Sequence, residues 1–156
     1  MSLEQLGKNT TEGCVAPGLH TEVNASGGAT RTLTADESGG MFLFDAATGV
    51  SYTLPTPVAG MQFTFYASVS VTSNAHAIAT GDAAVFIGGT IQSVIENSAT
   101  SEANTGDETA SVTVSMNGST TGGLKGTCIT VTALSSTVWI ASGMAVGSGT
   151  LATPFA

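Results

Sequence analysis

Histidine and cysteine side chains carry much of enzyme and metal chemistry, and this chain holds few of them. Its two histidines are His20 and His76, and neither has a partner at the spacing of a metal site. Cys14 lies close to His20 in the sequence, but two scattered ligands do not make a site. The sequence therefore predicts a structural or surface role for both histidines.

Acidic residues occur in two adjacent pairs, Asp36–Glu37 and Asp107–Glu108. A glycosidase needs two carboxyl groups flanking one bond, whereas both pairs here lie in turn-like segments, where carboxylates are usually solvated. Calcium binding by Glu102 with Asp107 and Glu108 is an alternative, although their spacing does not match an EF-hand loop. Since no catalytic constellation emerges, we predict a protein that is not an enzyme and that needs no cofactor or metal.

Residues 118–127 (GSTTGGLKGT) come nearest to a nucleotide-binding motif. A phosphate loop needs Lys directly after Gly, so that the backbone amides and the Lys side chain converge on the phosphates at the start of a helix. Here Leu124 separates Gly123 from Lys125, and the following residues alternate like a strand. The segment is therefore predicted to be a flexible hairpin loop.

Charge is sparse and one-sided. Of the 156 residues 9% are charged, and 11 acidic residues against three basic ones (Lys8, Arg31 and Lys125) give a formal charge of −8. So few cations cannot neutralise a run of phosphates, so nucleic-acid binding is not expected. No apolar run approaches the roughly 20 residues of a membrane helix, and the first residues do not resemble a secretion signal. We expect synthesis in a cytoplasm and no membrane partner.

The cysteines, Cys14 and Cys128, are far apart in the sequence. Two reduced thiols are the simpler interpretation, and a disulfide between the N-terminal arm and the body is the alternative.

A period of two dominates the chain after residue 29. Met61, Phe63 and Phe65 alternate with Gln62 and Thr64, as a half-buried strand requires. Phe63 and Phe65 are predicted to lie in the core beside Phe42 or Phe44 and Val114. We predict strands at residues 30–34, 41–44, 50–54, 61–72, 76–80, 84–87, 91–95, 109–116, 126–134 and 137–141.

Short strands joined by Gly, Pro and Asp turns predict an all-β fold, a single antiparallel sandwich or small barrel. Residues 30–156 form this predicted β-sandwich body, and the polar residues 97–108 are expected to be a mobile loop. Residues 1–29 lack periodicity and are predicted to be an extended N-terminal arm.

Trp139 allows two interpretations. Val138 and Ile140 continue the apolar set of the last strand, which turns Trp139 the other way. Its ring would then cover the edge of the sandwich, or it would anchor an interface, since Trp is enriched at the centres of subunit contacts.

Residues 31–71 also carry a family resemblance. The opening TLTADESGG leads into an apolar strand (FLFDA), a turn (TLPTPVAG) and a second strand (FTF). This succession resembles a segment of small structural proteins of tailed-bacteriophage virions, and residues 137–143 (TVWIASG) are similar to the closing strand of such proteins.

The resemblance implies a virion structural protein. The role we expect is a capsid decoration (cement) protein on the capsid exterior, with the major capsid protein as partner and a homotrimer as assembly. The alternative is a tail or fibre module that binds a host-surface glycan, for which Tyr52, Tyr66 and Trp139 are the aromatic candidates. The predicted partner-binding residues are apolar residues of the arm together with the late tryptophan: Leu3, Leu6, Val15, Leu19, Val23 and Trp139.

Overall fold

The structure, a computed structural model, describes residues 23–156. These residues form two β-sheets, and the helical content is a single turn of 3-10 helix at Ala35–Glu37. The predicted all-β class and sandwich are confirmed. The strands are β1 (Val23–Asn24), β2 (Thr30–Thr32), β3 (Met41–Phe44), β4 (Ser51–Thr53), β5 (Gln62–Ala67), β6 (His76–Ala79), β7 (Phe86–Ile95), β8 (Ser101–Gly106), β9 (Thr113–Met116), β10 (Cys128–Ala133) and β11 (Val138–Gly147).

The first six strands alternate between the sheets. β1, β3 and β5 belong to a seven-stranded sheet with the order β1-β3-β5-β10-β11-β7-β8, while β2, β4 and β6 belong to a four-stranded sheet with the order β2-β4-β6-β9. Each of these strands runs in the same direction as the preceding strand of its own sheet. β3 therefore pairs parallel with β5, and β4 pairs parallel with β6. Both sheets are therefore mixed, which corrects the predicted antiparallel arrangement.

Long strands complete the larger sheet. β11 pairs antiparallel with the central strand β10 and parallel with β7 along all ten residues of both β7 and β11. The C-terminal residues extend the smaller sheet: the N–H of Ser115 donates to the carbonyl of Pro154 at 2.8 Å, and Phe155 bridges to Val114. The chain end thus covers the β9 edge, which would otherwise present unpaired backbone groups.

Aromatic rings fill the space between the sheets. Phe42 and Phe44 of β3, Tyr52 of β4 and Phe63 and Phe65 of β5 have no exposed surface. Phe65 lies 5.2 to 5.8 Å, between ring centroids, from Tyr52 and from both β3 phenylalanines. The predicted core position of Phe63 and Phe65 is confirmed, and Val114 is equally buried.

Tyr52 is a buried ring with a polar end. Its hydroxyl donates to the carbonyl of Leu43 at 2.7 Å, which provides the partner that a buried phenol needs. Burial raises the pKa of Tyr52 to about 12, so the ring stays neutral and keeps this hydrogen bond.

Three predictions about individual elements are wrong. Trp139 faces the core, fully buried and 5.8 Å from the Phe63 ring, while Val138 and Ile140 are half-buried on the opposite face. Residues 97–108 are not simply a loop, because they contain β8, an edge strand paired with β7. Residues 84–87 and 91–95 do not form two strands, since Phe86–Ile95 is continuous through two glycines.

The β5 strand gives a direct test of the core. Replacing Phe65 by Ala removes a ring with three aromatic neighbours, and we expect the free energy of unfolding to fall by about 3–5 kcal/mol. Denaturant unfolding measures it. Val58→Ala is the control, since Val58 is 59% exposed in a turn and should change stability by less than about 0.5 kcal/mol. Equal stability of Phe65→Ala and the unaltered protein would contradict the aromatic core.

Candidate functional site

The predicted partner-binding residues are not brought together in the described part of the chain. Leu3, Leu6, Val15 and Leu19 lie outside it, as do Cys14 and His20. Val23 is in β1 and is 54% exposed, so its side chain is available to a partner. Trp139 is enclosed by the core and presents no ring to a partner, which corrects its proposed role as an interface anchor.

The junction between the predicted arm and the body is an edge strand. Val23 and Asn24 pair in parallel with Met41 and Phe42, at the rim of the seven-stranded sheet. The body therefore begins before residue 30, the boundary that the sequence predicted. Ser26, two residues after β1, is buried and donates its backbone N–H to Asp45 at 3.2 Å and its hydroxyl to the same carboxylate.

His76 is buried and fully hydrogen-bonded. Its Nδ1 accepts from the N–H of Val50 at 3.1 Å, which leaves Nε2 to donate to the carbonyl of Val69 at 3.2 Å. The imidazole stacks on Phe44 with 4.6 Å between ring centroids. Burial lowers the pKa of His76, against a smaller opposing effect of the Val69 hydrogen bond. A neutral ring joining three segments is a structural group, as the sequence predicted for this histidine.

The acidic pairs organise turns. Glu37 accepts from the N–H of Thr34 at 2.8 Å and forms an ion pair with Arg31. Asp107 accepts from both the N–H and the hydroxyl of Thr109, at 2.8 and 2.6 Å. Both hydrogen bonds lower the pKa of the Asp107 carboxyl, and the bond from the hydroxyl has the larger effect. Within residues 23–156, no group of three or more His, Cys, Asp or Glu side chains is placed to hold a metal ion.

The Gly-rich segment 118–127 is not the predicted hairpin, because β9 and β10 on either side of it belong to different sheets. Asn117 folds the segment over its own side chain, whose Oδ1 accepts from the N–H groups of Ser119 and Thr120 at 2.9 Å each. At the other end, the buried hydroxyl of Thr127 accepts from the N–H of Val146 at 2.9 Å. The segment is a hydrogen-bonded corner between the two layers.

A depression of about 310 Å³ lies at one end of the four-stranded sheet, where Thr32, Thr53 and Thr80 meet Asp82. Two residues of its wall already have hydrogen-bond partners. The Thr80 hydroxyl donates to the carbonyl of Asp82 at 2.8 Å, and the Asp82 carboxylate accepts from the N–H of Ala84 at 2.8 Å. Thr80 and Asp82 therefore stabilise the turn that follows β6.

The outward side of the seven-stranded sheet carries a row that the sequence did not reveal. Cross-strand register places Leu43, Tyr66, Cys128 and Met144 side by side on β3, β5, β10 and β11. We call these four residues the Tyr66 strip. Tyr66 is 38% and Met144 is 42% exposed, although both are large and apolar in their bulk. Alternation fixes which face each residue takes, but the register between distant strands has no local signal.

Comparison with known proteins adds no family. No protein-family model, no curated protein and no solved structure matches the chain. Among the described residues, no helix has the length and apolarity needed to cross a membrane.

His76 makes stability depend on pH in a defined direction. In the unfolded chain the imidazole of His76 takes up a proton near pH 6.5, whereas in the folded protein burial lowers its pKa. The free energy of unfolding should therefore fall as the pH drops below about 6.5, and it should level off below the pKa of the folded state. His76→Asn cannot titrate, so its stability should lack this change while being lower throughout by about 1–3 kcal/mol.

Unfolding curves at several pH values measure the effect. His20→Asn, which alters the other histidine of the chain, is the matched control and should keep the pH dependence. An unchanged pH profile in His76→Asn would assign the titration to another group.

Proposed function

We propose that this protein is a non-enzymatic structural protein of a bacteriophage virion, a capsid decoration protein that binds and stabilises the assembled head shell. Its partners are the major capsid protein and copies of itself, with the homotrimer as the expected assembly. Its place is the capsid exterior, after synthesis in the host cytoplasm.

The observation that carries the proposal is the way the N-terminal segment joins the body. β1 lies at the rim of the seven-stranded sheet, so the described chain enters the body at a sheet edge and not through its core. Apolar side chains recur along that segment at Leu3, Leu6, Val15 and Leu19. An extended chain that orders on a partner can cover a large surface relative to its length.

The body itself suits a passive load-bearing role. Several pairings in the larger sheet join strands distant in sequence, such as β11 with β7 over ten residues and β5 with β10. Three carboxylates of the described turns, those of Glu37, Asp82 and Asp107, accept local backbone hydrogen bonds. These features support binding without chemistry.

The glycan-binding alternative receives less support. A carbohydrate site uses exposed aromatic rings next to polar side chains. Of the three aromatic residues on which that alternative relied, Tyr52 and Trp139 are buried, and only Tyr66 is exposed. Tyr66 has Leu43 and Cys128 beside it in its row and hydroxyls in the adjacent row, but no Asp, Asn or Glu on the neighbouring strands β3 and β10.

The arm is tested by substitution in the full chain. Replacing Leu3, Leu6, Val15 and Leu19 by Ser should leave the melting temperature unchanged and weaken binding to assembled phage capsids at least about tenfold, because each buried apolar side chain contributes about 1.5–3 kcal/mol. Cosedimentation with capsids measures the affinity.

The matched control places Ser at Val58 and Leu134, apolar residues of the body that are 59% and 62% exposed. It should bind capsids like the unaltered protein. If the control loses binding and the arm variant retains it, the contact lies on the body. Failure of the unaltered protein to bind any assembled capsid would refute the proposed function itself.

A further inference from the structure

The outward face of the seven-stranded sheet carries no charge on its five inner strands. Alternate residues of β3, β5, β7, β10 and β11 point away from the core, and every one of them is apolar, a glycine, an amide, a hydroxyl or a thiol. We call this surface the outer face. The chain as a whole has a formal charge of −8, but the acidic residues of its described part all lie outside these five strands. The Glu108 side chain lies against Gly88 of β7, which the row of Thr90 and Ser142 separates from the row of Met144.

The outer face has an ordered composition. The Tyr66 strip is one apolar row of it, with two partly exposed large side chains and two half-buried neighbours. The adjacent row is a ladder of hydroxyls on four strands, Thr64, Thr130, Ser142 and Thr90. The Oγ1 atoms of Thr64 and Thr130 lie 3.1 Å apart. An apolar band beside donors and acceptors is the usual make-up of a protein interface.

The dimensions of the outer face also fit an interface. Its five strands, spaced about 4.8 Å apart, span about 24 Å, and their four to ten residues extend about 13–33 Å. The resulting area is on the order of 500 Å², the size of a small interface and below the roughly 800 Å² that each partner buries in a standard complex.

We propose that the outer face is the surface through which this protein binds a second copy of itself. Charge decides the occupant. Two copies with eight negative charges each repel one another, and they approach at least cost where neither carries a charge. A basic partner would instead be recognised through carboxylates, which the inner strands of this face lack.

The face is also able to complement itself. The apolar strip of one copy can pack on the strip of the other, and hydroxyls serve as both donors and acceptors, so the ladder can pair with another ladder. This inference does not rest on the virion role, because it concerns the purified protein without a capsid.

Sedimentation of the full chain at several concentrations is the test. We expect a mass that is a multiple of 15.4 kDa. Tyr66→Glu with Met144→Glu adds like charges at the centre of the contact and should weaken association at least about tenfold. Thr56→Glu with Val58→Glu adds the same charge at two exposed residues of the β4–β5 turn, off the face, and this control should associate like the unaltered protein.

A second measurement leaves the face unaltered, in case the charged variant does not fold. In a Cys14→Ser protein, Cys128 is the remaining thiol, and it lies on the central strand of the outer face. Its labelling by a thiol reagent should slow severalfold as protein concentration rises. A protein that stays monomeric would overturn the proposal. An oligomer would also overturn it if the Tyr66→Glu and Met144→Glu substitutions leave association unchanged and the rate of Cys128 labelling does not depend on protein concentration. Failed capsid binding with intact self-association would count against the virion role alone.

Discussion

The packing of aromatic rings between the two sheets is the interaction on which the rest of this fold depends. Phe42, Phe44, Tyr52 and Phe65 come from three strands that belong to different layers, and their ring centroids lie 5.2 to 5.8 Å apart. The contribution of such pairs, about 0.5–1.5 kcal/mol each, adds to that of burying the rings themselves. Because β3, β4 and β5 alternate between the two layers, the rings that they bring to this cluster hold the two turns between them in place.

Parallel pairing places demands on the connections, and buried polar groups meet them. A parallel strand pair needs a long return path, whose backbone groups would lose hydrogen bonds if buried without partners. His76 supplies an acceptor to Val50 and a donor to Val69, and Thr127 does similar work between the Gly-rich corner and β11. Trp139 is the exception: its indole N–H is buried with no acceptor in the described part of the chain.

The sequence predicted what depends on local periodicity and missed what depends on long-range pairing. Alternation located β3 and β5 and placed Phe63 and Phe65 in the core correctly, because the side-chain period of a strand is independent of its neighbours. It could not reveal which strands pair or in which direction, so the alternation between layers and the Tyr66 strip were not predicted. Trp139 was misplaced because its strand has apolar residues on both faces. β8 was missed because an edge strand need not be apolar.

The distribution of charge links fold and surface. The described acidic residues are concentrated in turns, where Asp45, Asp82 and Asp107 each accept a backbone N–H from a residue near the start or end of a strand. A carboxylate used in this way stabilises a turn and stays solvated, so it imposes no desolvation cost. The inner strands of the larger sheet are then free of charge on both sides, one side filled by rings and the other left to hydroxyls and a few apolar groups. A chain that is acidic overall thus presents a broad neutral surface. Its low fraction of charged residues follows because both faces of the larger sheet lack charged side chains on the inner strands, whereas a sheet usually lacks them on the core side alone.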